Sequence, residues 1–363
     1  MSKKTIVISG VNMVDGGIFT ILDNCLNELN KFIENKDINV IALVNDSSKF
    51  NYNNISFISL PKSKKNWLFR LYYEYFYFNK LSKKINPDVW FSLHDTSPNV
   101  KCKRRFVYCH NPNLFYKPSF KESTLEIKVG IFYLFYKFIY KINIHKNTNV
   151  FVQQFWIKNA FEKMFDLENV IVTQPEFVKE EVNSTIYLDD SKVHFFYPTL
   201  GRSFKNIELI GEAILLLPDE IRNKIKVNVT IQKNDTLYAD YIVKKYPLKE
   251  INYLGKISRK EVFAYYNSMA CLLFPSKLET WGLPITEAKG FNKPMLVSDL
   301  PYAKETVGNY ENVSFFKIDK PNELAQLMRE LVTKTIDYTG NKYPYENEYQ
   351  ITSWESIFNH ILN

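Results

Sequence analysis

At 363 residues the chain has room for about two compact domains of roughly 150 residues each. Hydrophobic residues at 45% and charged residues at 24% are ordinary globular usage, which excludes a disordered, collagen-like or coiled-coil chain. The balance of 47 Lys+Arg against 39 Asp+Glu leaves +8, an excess that suits nucleotides, phospholipids or nucleic acid without choosing among them.

Met1-Ser2-Lys3-Lys4 and the short apolar run from Thr5 to Ser9 lack the long apolar core and small-residue cleavage site of a secretory signal, so export is not expected. The β-branched run Ile6-Val7-Ile8, a helical pattern over 16–33 and the apolar run 40–44 form a βαβ unit, the seed of a parallel sheet. Further strands are expected at 55–60, 89–93, 106–109, 150–152 and 170–173, giving a Rossmann-like N-terminal domain over 1–180. After the polar stretch 178–192 the pattern restarts with strands at 194–197, 227–231, 271–274 and 295–297 and helices at 208–217 and from about 322, a second Rossmann-like domain over 190–345. The last segment, with Ser353 as cap and Glu355 in the first turn, is a closing helix within about 346–363 that returns to the N-terminal domain. The expected class is α/β, and ligands of such sheets bind beyond the carboxyl ends of the strands.

Arg70, Glu74, Lys137 and Lys141 interrupt the two greasiest stretches, so neither reaches the ~18 uncharged apolar residues of a spanning helix. The four cysteines form no Cys-x-x-Cys pair and are read as reduced thiols. There is no Asp-x-Asp to hold a hard cation, and the five histidines have no ligand spacing; no metal site is expected.

The strongest chemical signal runs from Phe274 to Ala288. A strand ends at Phe274, a loop carries Glu279 and Gly282, and Pro284 stands where a first helical turn tolerates proline. Glu287 then lies near the helix start, where its carboxylate can accept two hydrogen bonds from a ribose diol, while the amides around Gly282 and Leu283 face an anion or sugar hydroxyls. The plain alternative is a capped helix with an acidic first turn. Glu279 and Glu287, with seven residues between them around Trp281-Gly282-Leu283-Pro284, closely resemble the signature of retaining nucleotide-sugar glycosyltransferases of family four. The resemblance extends through Tyr253-Leu254-Gly255-Lys256-Ile257, Lys293-Pro294-Met295-Leu296-Val297-Ser298 and Glu305-Thr306-Val307-Gly308. It implies the GT-B fold, two Rossmann-like domains facing a central cleft, with Glu287 on the donor ribose and Glu279 on the donor sugar, beside Trp281, Gly282 and Leu283.

Arg202 and Lys205, between a strand and a helix, resemble that family's phosphate clamp, two cations able to take the charge of a departing diphosphate without metal. The family usually has Gly-Arg six positions before the lysine, where this chain has Pro198-Thr199, so Arg202 reaches from a different point of the loop. In the N-terminal half, Gly16-Gly17 opens a helix after the first strand and lets backbone approach a ligand; taken alone it reads as an ordinary strand-to-helix turn, and the resemblance implies contact with the donor phosphate and the acceptor. Asn12 and Asp15 are rim contacts on the acceptor side. His110 ends a strand and matches the family's histidine near the donor sugar; His94, ending the preceding strand, competes for the role or serves the acceptor side.

Residues 62–78 and 127–144 read as aromatic helices with lysines at their ends, suited to the headgroup layer of a membrane or to packing on the first sheet. The expected protein is a metal-independent, retaining hexosyltransferase acting on a lipid-linked glycan in bacterial surface-polysaccharide or O-antigen synthesis. It is expected in the cytoplasm, peripheral on the inner face of the membrane, with no cofactor beyond the nucleotide-sugar co-substrate and no nucleic acid partner. Rival readings are a GT-B sugar-nucleotide epimerase or phosphorylase, and a non-enzymatic basic scaffold binding lipid or nucleic acid.

Overall fold

The computed structural model describes residues 3–173, 185–345 and 351–363. Residues 178–184 of the polar stretch, 346–350 of the expected closing helix and the Phe132 side chain lie outside the described residues. The chain divides into two compact units, one of residues 1–111, 135–176 and 349–363, the other of 112–134 and 177–348. Residues 112–134 therefore pack with the second unit, although a boundary near 180 would put them in the first. Two of their acidic side chains, Glu122 and Glu126, bond to cations of that unit.

The first unit carries seven parallel strands: β1 Lys4–Ser9, β2 Ile38–Val44, β3 Ile55–Ser59, β4 Val89–Ser92, β5 Arg104–Cys109, β6 Asn149–Val152 and β7 Val170–Val172, in the order β3-β2-β1-β4-β5-β6-β7. β1 is buried on both faces, which is why it reads as an unbroken apolar run. Ile6 and Ile8 point into one core and Val7 into the other, the two-residue period of a strand. Helix Gly16–Phe32 buries Leu22, Cys25, Leu26 and Leu29, spaced for one helical face. Helix Trp354–Leu362, capped by Ser353, adds Trp354, Ile357, Phe358, Ile361 and Leu362 to that same core, so the end of the chain completes the first unit.

The second unit carries six parallel strands: β8 Val193–Tyr197, β9 Ile225–Val229, β10 Ile251–Tyr253, β11 Cys271–Phe274, β12 Met295–Ser298 and β13 Val313–Phe316, in the order β10-β9-β8-β11-β12-β13. β10 and β13 escape a reading by apolar runs because one is three residues long and the other is Val-Ser-Phe-Phe with no alternation. In both sheets the order reverses beside the first strand of the unit, between β1 and β4 and between β8 and β11, the switch point where α/β sheets bind ligands.

The first aromatic segment is one continuous helical rod, α-helical over Trp67–Tyr72, π-helical over Tyr73–Tyr77 and α-helical again over Phe78–Ile85. The second forms helix Ile127–Lys141. No helix among the described residues is long and apolar enough to cross a membrane. All four cysteines are free thiols, and Cys25, Cys109 and Cys271 are buried.

Candidate active site

In the second unit, two loops leave the carboxyl ends of the neighbouring strands β8 and β11 and are tied together. The Lys277 amide donates to the Phe204 carbonyl (2.7 Å), Asn206 Nδ2 to the Pro275 carbonyl (3.2 Å) and the Tyr197 hydroxyl to the Lys205 carbonyl (2.9 Å). These bonds bring Lys205 and Glu279, 74 residues apart, into a direct ion pair with both side chains mostly covered. Arg202, on the same loop and half exposed, bonds through Nη1 to Glu126 Oε1 (2.9 Å). The other oxygen of Glu126 accepts from the Ser203 amide (2.7 Å). Lys277, two positions before Glu279, holds Glu122 at 2.8 Å. Burial pushes the Glu122 carboxyl up, but the bonds from Lys277, the Tyr116 hydroxyl and the Ser119 amide outweigh it and hold the group at about 2.

Gly282 sits at φ 86°, a left-handed conformation that glycine adopts without strain, and turns the loop into helix Leu283–Gly290 with Pro284 in its first turn. That turn puts Glu287 on the buried face of the helix, 2% exposed. Its Oε2 accepts from the Tyr266 hydroxyl (2.7 Å), and its Oε1 lies 2.6 Å from Arg259 Nη1. Burial and the Glu287 carboxylate drive the Tyr266 phenol well above its usual range, so it stays a donor. Trp281 is turned inward, its indole N–H donating to Thr286 Oγ1 (2.9 Å), while Leu283 is exposed at the helix start.

The first unit presents its own group of residues at the ends of β1, β4 and β5. Gly16, at φ 63°, and Gly17 open the helix after β1, and a side chain added at either would meet nothing within 4 Å. Asp15 precedes them and pairs with Lys64 at 3.0 Å on the surface; the Oδ1 of Asn12 is buried. His110 follows β5, and its amide and that of Asn111 donate to Asp95 Oδ1 (2.9 and 3.0 Å). Burial lowers the His110 imidazole below its usual range, so at neutral pH the ring is uncharged.

His94 is wholly inside this unit. Its Nε2 is 2.9 Å from Ser9 Oγ and its Nδ1 is 3.0 Å from Oε1 of Glu74, a residue buried on the π-helical turn. The buried Arg70 donates to the His94 carbonyl (2.8 Å). Burial drives the Glu74 carboxyl up to about 8 despite the nearby Arg70, and burial drives His94 well below its range. Both shifts disfavour charge, so at neutral pH the two side chains form a neutral pair.

A pH prediction follows from Glu74. Its folded-state pKa is raised, so the stability held by the protonated form is complete below its ordinary 4.5 and is lost as pH climbs toward about 8. Denaturant melts across that window should show wild type losing up to about 1.4 kcal/mol per pH unit through this group. Glu74→Gln, neutral throughout, should remove that part of the slope; identical slopes would place the pH dependence elsewhere.

Among the residues placed by the sequence, the fold joins Lys205 to Glu279 and sets Arg202 on the same loop. Glu287 lies on the helix that the Glu279 loop enters. Gly16, Gly17, Asn12, Asp15, His94 and His110 lie in the first unit. Arg259, Tyr266, Lys277, Glu122 and Glu126 were not read from the sequence. Arg259 had a signal, a cation opening the helix just after Gly255-Lys256-Ile257, and Lys277 stands inside the quoted motif. Nothing local marks Glu122 or Glu126. No group of three or more His, Cys, Asp or Glu among the described residues could hold a metal ion.

Residues 178–346 match the family described as Glycosyl transferases group 1. The O-antigen chain mannosyltransferase RfbU of Salmonella typhimurium is 24% identical over 224 residues, 60% of this chain. The match spans 58% of RfbU, less than two thirds of that relative's length. Among solved structures, the lipopolysaccharide outer core galactosyltransferase WaaB superposes with TM-score 0.62 at 12% identity over 99% of both chains. Anabaena HepE, in complex with UDP and glucose, superposes with TM-score 0.59 at 11% identity over 92% of this chain and 90% of its own. With two parallel Rossmann-like sheets in the GT-B fold, the chain carries over residues 178–346, just under half of its length, a segment that matches the group 1 glycosyl transferases.

Proposed function

We propose that this chain transfers a sugar from a nucleotide-diphosphate sugar to a lipid-linked glycan acceptor in bacterial surface-polysaccharide synthesis, with retention at the anomeric carbon and without metal. The observation that carries the reading is the Lys205–Glu279 pair at the ends of β8 and β11, with Arg202 on the same loop. Cations at a switch point suit a diphosphate, and a carboxylate beside them suits sugar hydroxyls. In this reading Glu287 takes the ribose diol, Glu279 binds the donor sugar, and Arg202 and Lys205 take the charge that grows on the diphosphate as the glycosidic bond breaks. The acceptor hydroxyl attacks from the same face, and the departing phosphate takes its proton. Within the first unit, His110, uncharged at neutral pH, suits hydrogen bonds with sugar hydroxyls, and the Gly16-Gly17 turn offers backbone amides to an anion. The likeness to RfbU supports a mannosyl donor and an O-antigen acceptor.

The experiment is a thermal-shift panel of UDP, GDP, dTDP, CMP and their sugars, because a ligand that binds only the folded state raises the melting temperature. One nucleotide series should stand out, and an acceptor should accelerate release of its diphosphate. Release with no acceptor effect would favour an epimerase or hydrolytic reading, and no shift with any nucleotide would favour a scaffold.

A lipid-linked acceptor calls for a place at the cytoplasmic membrane face. On helix Ile127–Lys141, Ile127, Ile131, Leu134, Phe135 and Phe138 are exposed along a stripe flanked by the exposed Lys137 and Lys141. Leu68, Tyr72 and Phe76 repeat the pattern on the first aromatic rod, which starts after Lys62, Lys64 and Lys65. Apolar side chains ringed by lysine fit an anionic bilayer surface. Wild type should sediment with vesicles of mixed anionic and neutral phospholipid and be released by salt. The double variant Leu134→Asp/Phe138→Asp should bind about tenfold more weakly or worse, since each exposed apolar side chain gains roughly 1.5–3 kcal/mol when fully buried.

A further inference from the structure

The Glu126 carboxylate is held as an anion is held in a phosphate site, with one oxygen on an arginine N–H and the other on a backbone amide. Oε1 takes Arg202 Nη1 at 2.9 Å and Oε2 takes the Ser203 amide at 2.7 Å, and the side chain is 6% exposed. Those donors lie on the β8 loop, whose other cation, Lys205, is already paired with Glu279. The Ser203 amide has one proton and Arg202 Nη1 is taken, so a diphosphate that uses these two donors must displace the carboxylate, and one that binds beside it meets like-charge repulsion.

We propose that Glu126 is a built-in competitor of the donor's diphosphate, a latch that occupies Arg202 and the Ser203 amide and is displaced when the diphosphate binds. The inference rests on the assignment of Arg202 to that diphosphate. The place of Glu126 in the chain gives displacement a consequence. It stands between helix Phe120–Leu125, which it terminates, and helix Ile127–Lys141. The short helix before it stays anchored by Glu122, which holds Lys277 at 2.8 Å and accepts from Tyr116 at 2.6 Å, and by its capping box with Ser119. Release of Glu126 frees the joint while Glu122 keeps the segment attached. The helix beyond the joint carries the exposed apolar stripe, so diphosphate binding and the setting of that helix are linked. By reciprocity, whatever shifts the joint changes diphosphate affinity by the same factor.

The test is calorimetry of wild type and Glu126→Gln with pyrophosphate, UDP, GDP and the nucleosides uridine and guanosine. Glutamine keeps the volume and removes the competing charge. The variant should bind pyrophosphate and the preferred diphosphate about tenfold more tightly, with nucleoside affinity unchanged, the size expected when one charged hydrogen-bonded competitor is lost. Equal or weaker diphosphate binding would overturn the latch and make Glu126 a support that aims Arg202. If neither protein takes up any diphosphate, the clamp assignment fails first and the latch with it. A readout on wild type guards against a variant that folds poorly: saturating pyrophosphate should speed hydrogen exchange of the amides around 126–130. Unchanged exchange with pyrophosphate bound would also overturn the proposal.

Discussion

Glu287→Ala should abolish the nucleotide-induced rise in melting temperature and weaken the preferred nucleotide by about 100-fold, the sum of two charge-assisted hydrogen bonds at roughly 1.5 kcal/mol each. The carboxylate is buried, and its two oxygens are oriented by Tyr266 and Arg259, one partner each. Each oxygen keeps a second acceptor direction for a diol. The same substitution strands the Tyr266 hydroxyl in the core without its acceptor, so the variant itself should lose about 1–3 kcal/mol of stability. Glu287→Gln separates the two effects. It keeps the volume and one acceptor for Tyr266 but gives up the charge, so it should melt close to wild type while binding nucleotide roughly tenfold more weakly. A Gln variant that binds as wild type does would remove Glu287 from the ribose.

Arg202→Ala should lower kcat by about 10²–10³, the usual loss when one preorganised donor to a developing anion is removed. Diphosphates should weaken with it while the parent nucleoside binds as before, because Arg202 belongs to the β8 loop and Glu287 to the helix after the β11 loop. Calorimetry and steady-state kinetics read this better than melting does, since the variant also leaves Glu126 with only the Ser203 amide of its two partners and destabilises the fold. Arg202→Lys keeps the charge and loses the planar fork, and should recover only part of the activity. Equal losses for nucleoside and diphosphate would contradict the clamp.

The central strands were legible because they are buried on both faces: Ile6-Val7-Ile8 and Cys271-Leu272-Leu273-Phe274 have no polar face to interrupt the run. The spacing of Glu279, Gly282 and Pro284 was legible because a strand-to-helix turn needs a left-handed residue and tolerates proline just after it. What stayed hidden depends on distance along the chain. Arg202 meets Glu126 across 76 residues and Lys277 meets Glu122 across 155, and no local pattern marks either pair. Arg70 and Glu74 were read as charges breaking up an apolar stretch. They lie inside instead, because one π-helical turn carries Glu74 inward onto His94, and no propensity announces such a turn.

The return of residues 351–363 to the core of the first unit bears on how the protein is made. Ile351, Trp354, Ile357, Phe358 and Ile361 share a cluster with Leu22, Leu26 and Leu29, so that layer lacks these partners until translation has passed residue 361. Among the described residues, the other unit has its strands by residue 316 and can consolidate first. On the ribosome, therefore, the first unit waits for residues 351–363 after the strands of the second are made, and its uncovered apolar face is the surface that a chaperone would meet.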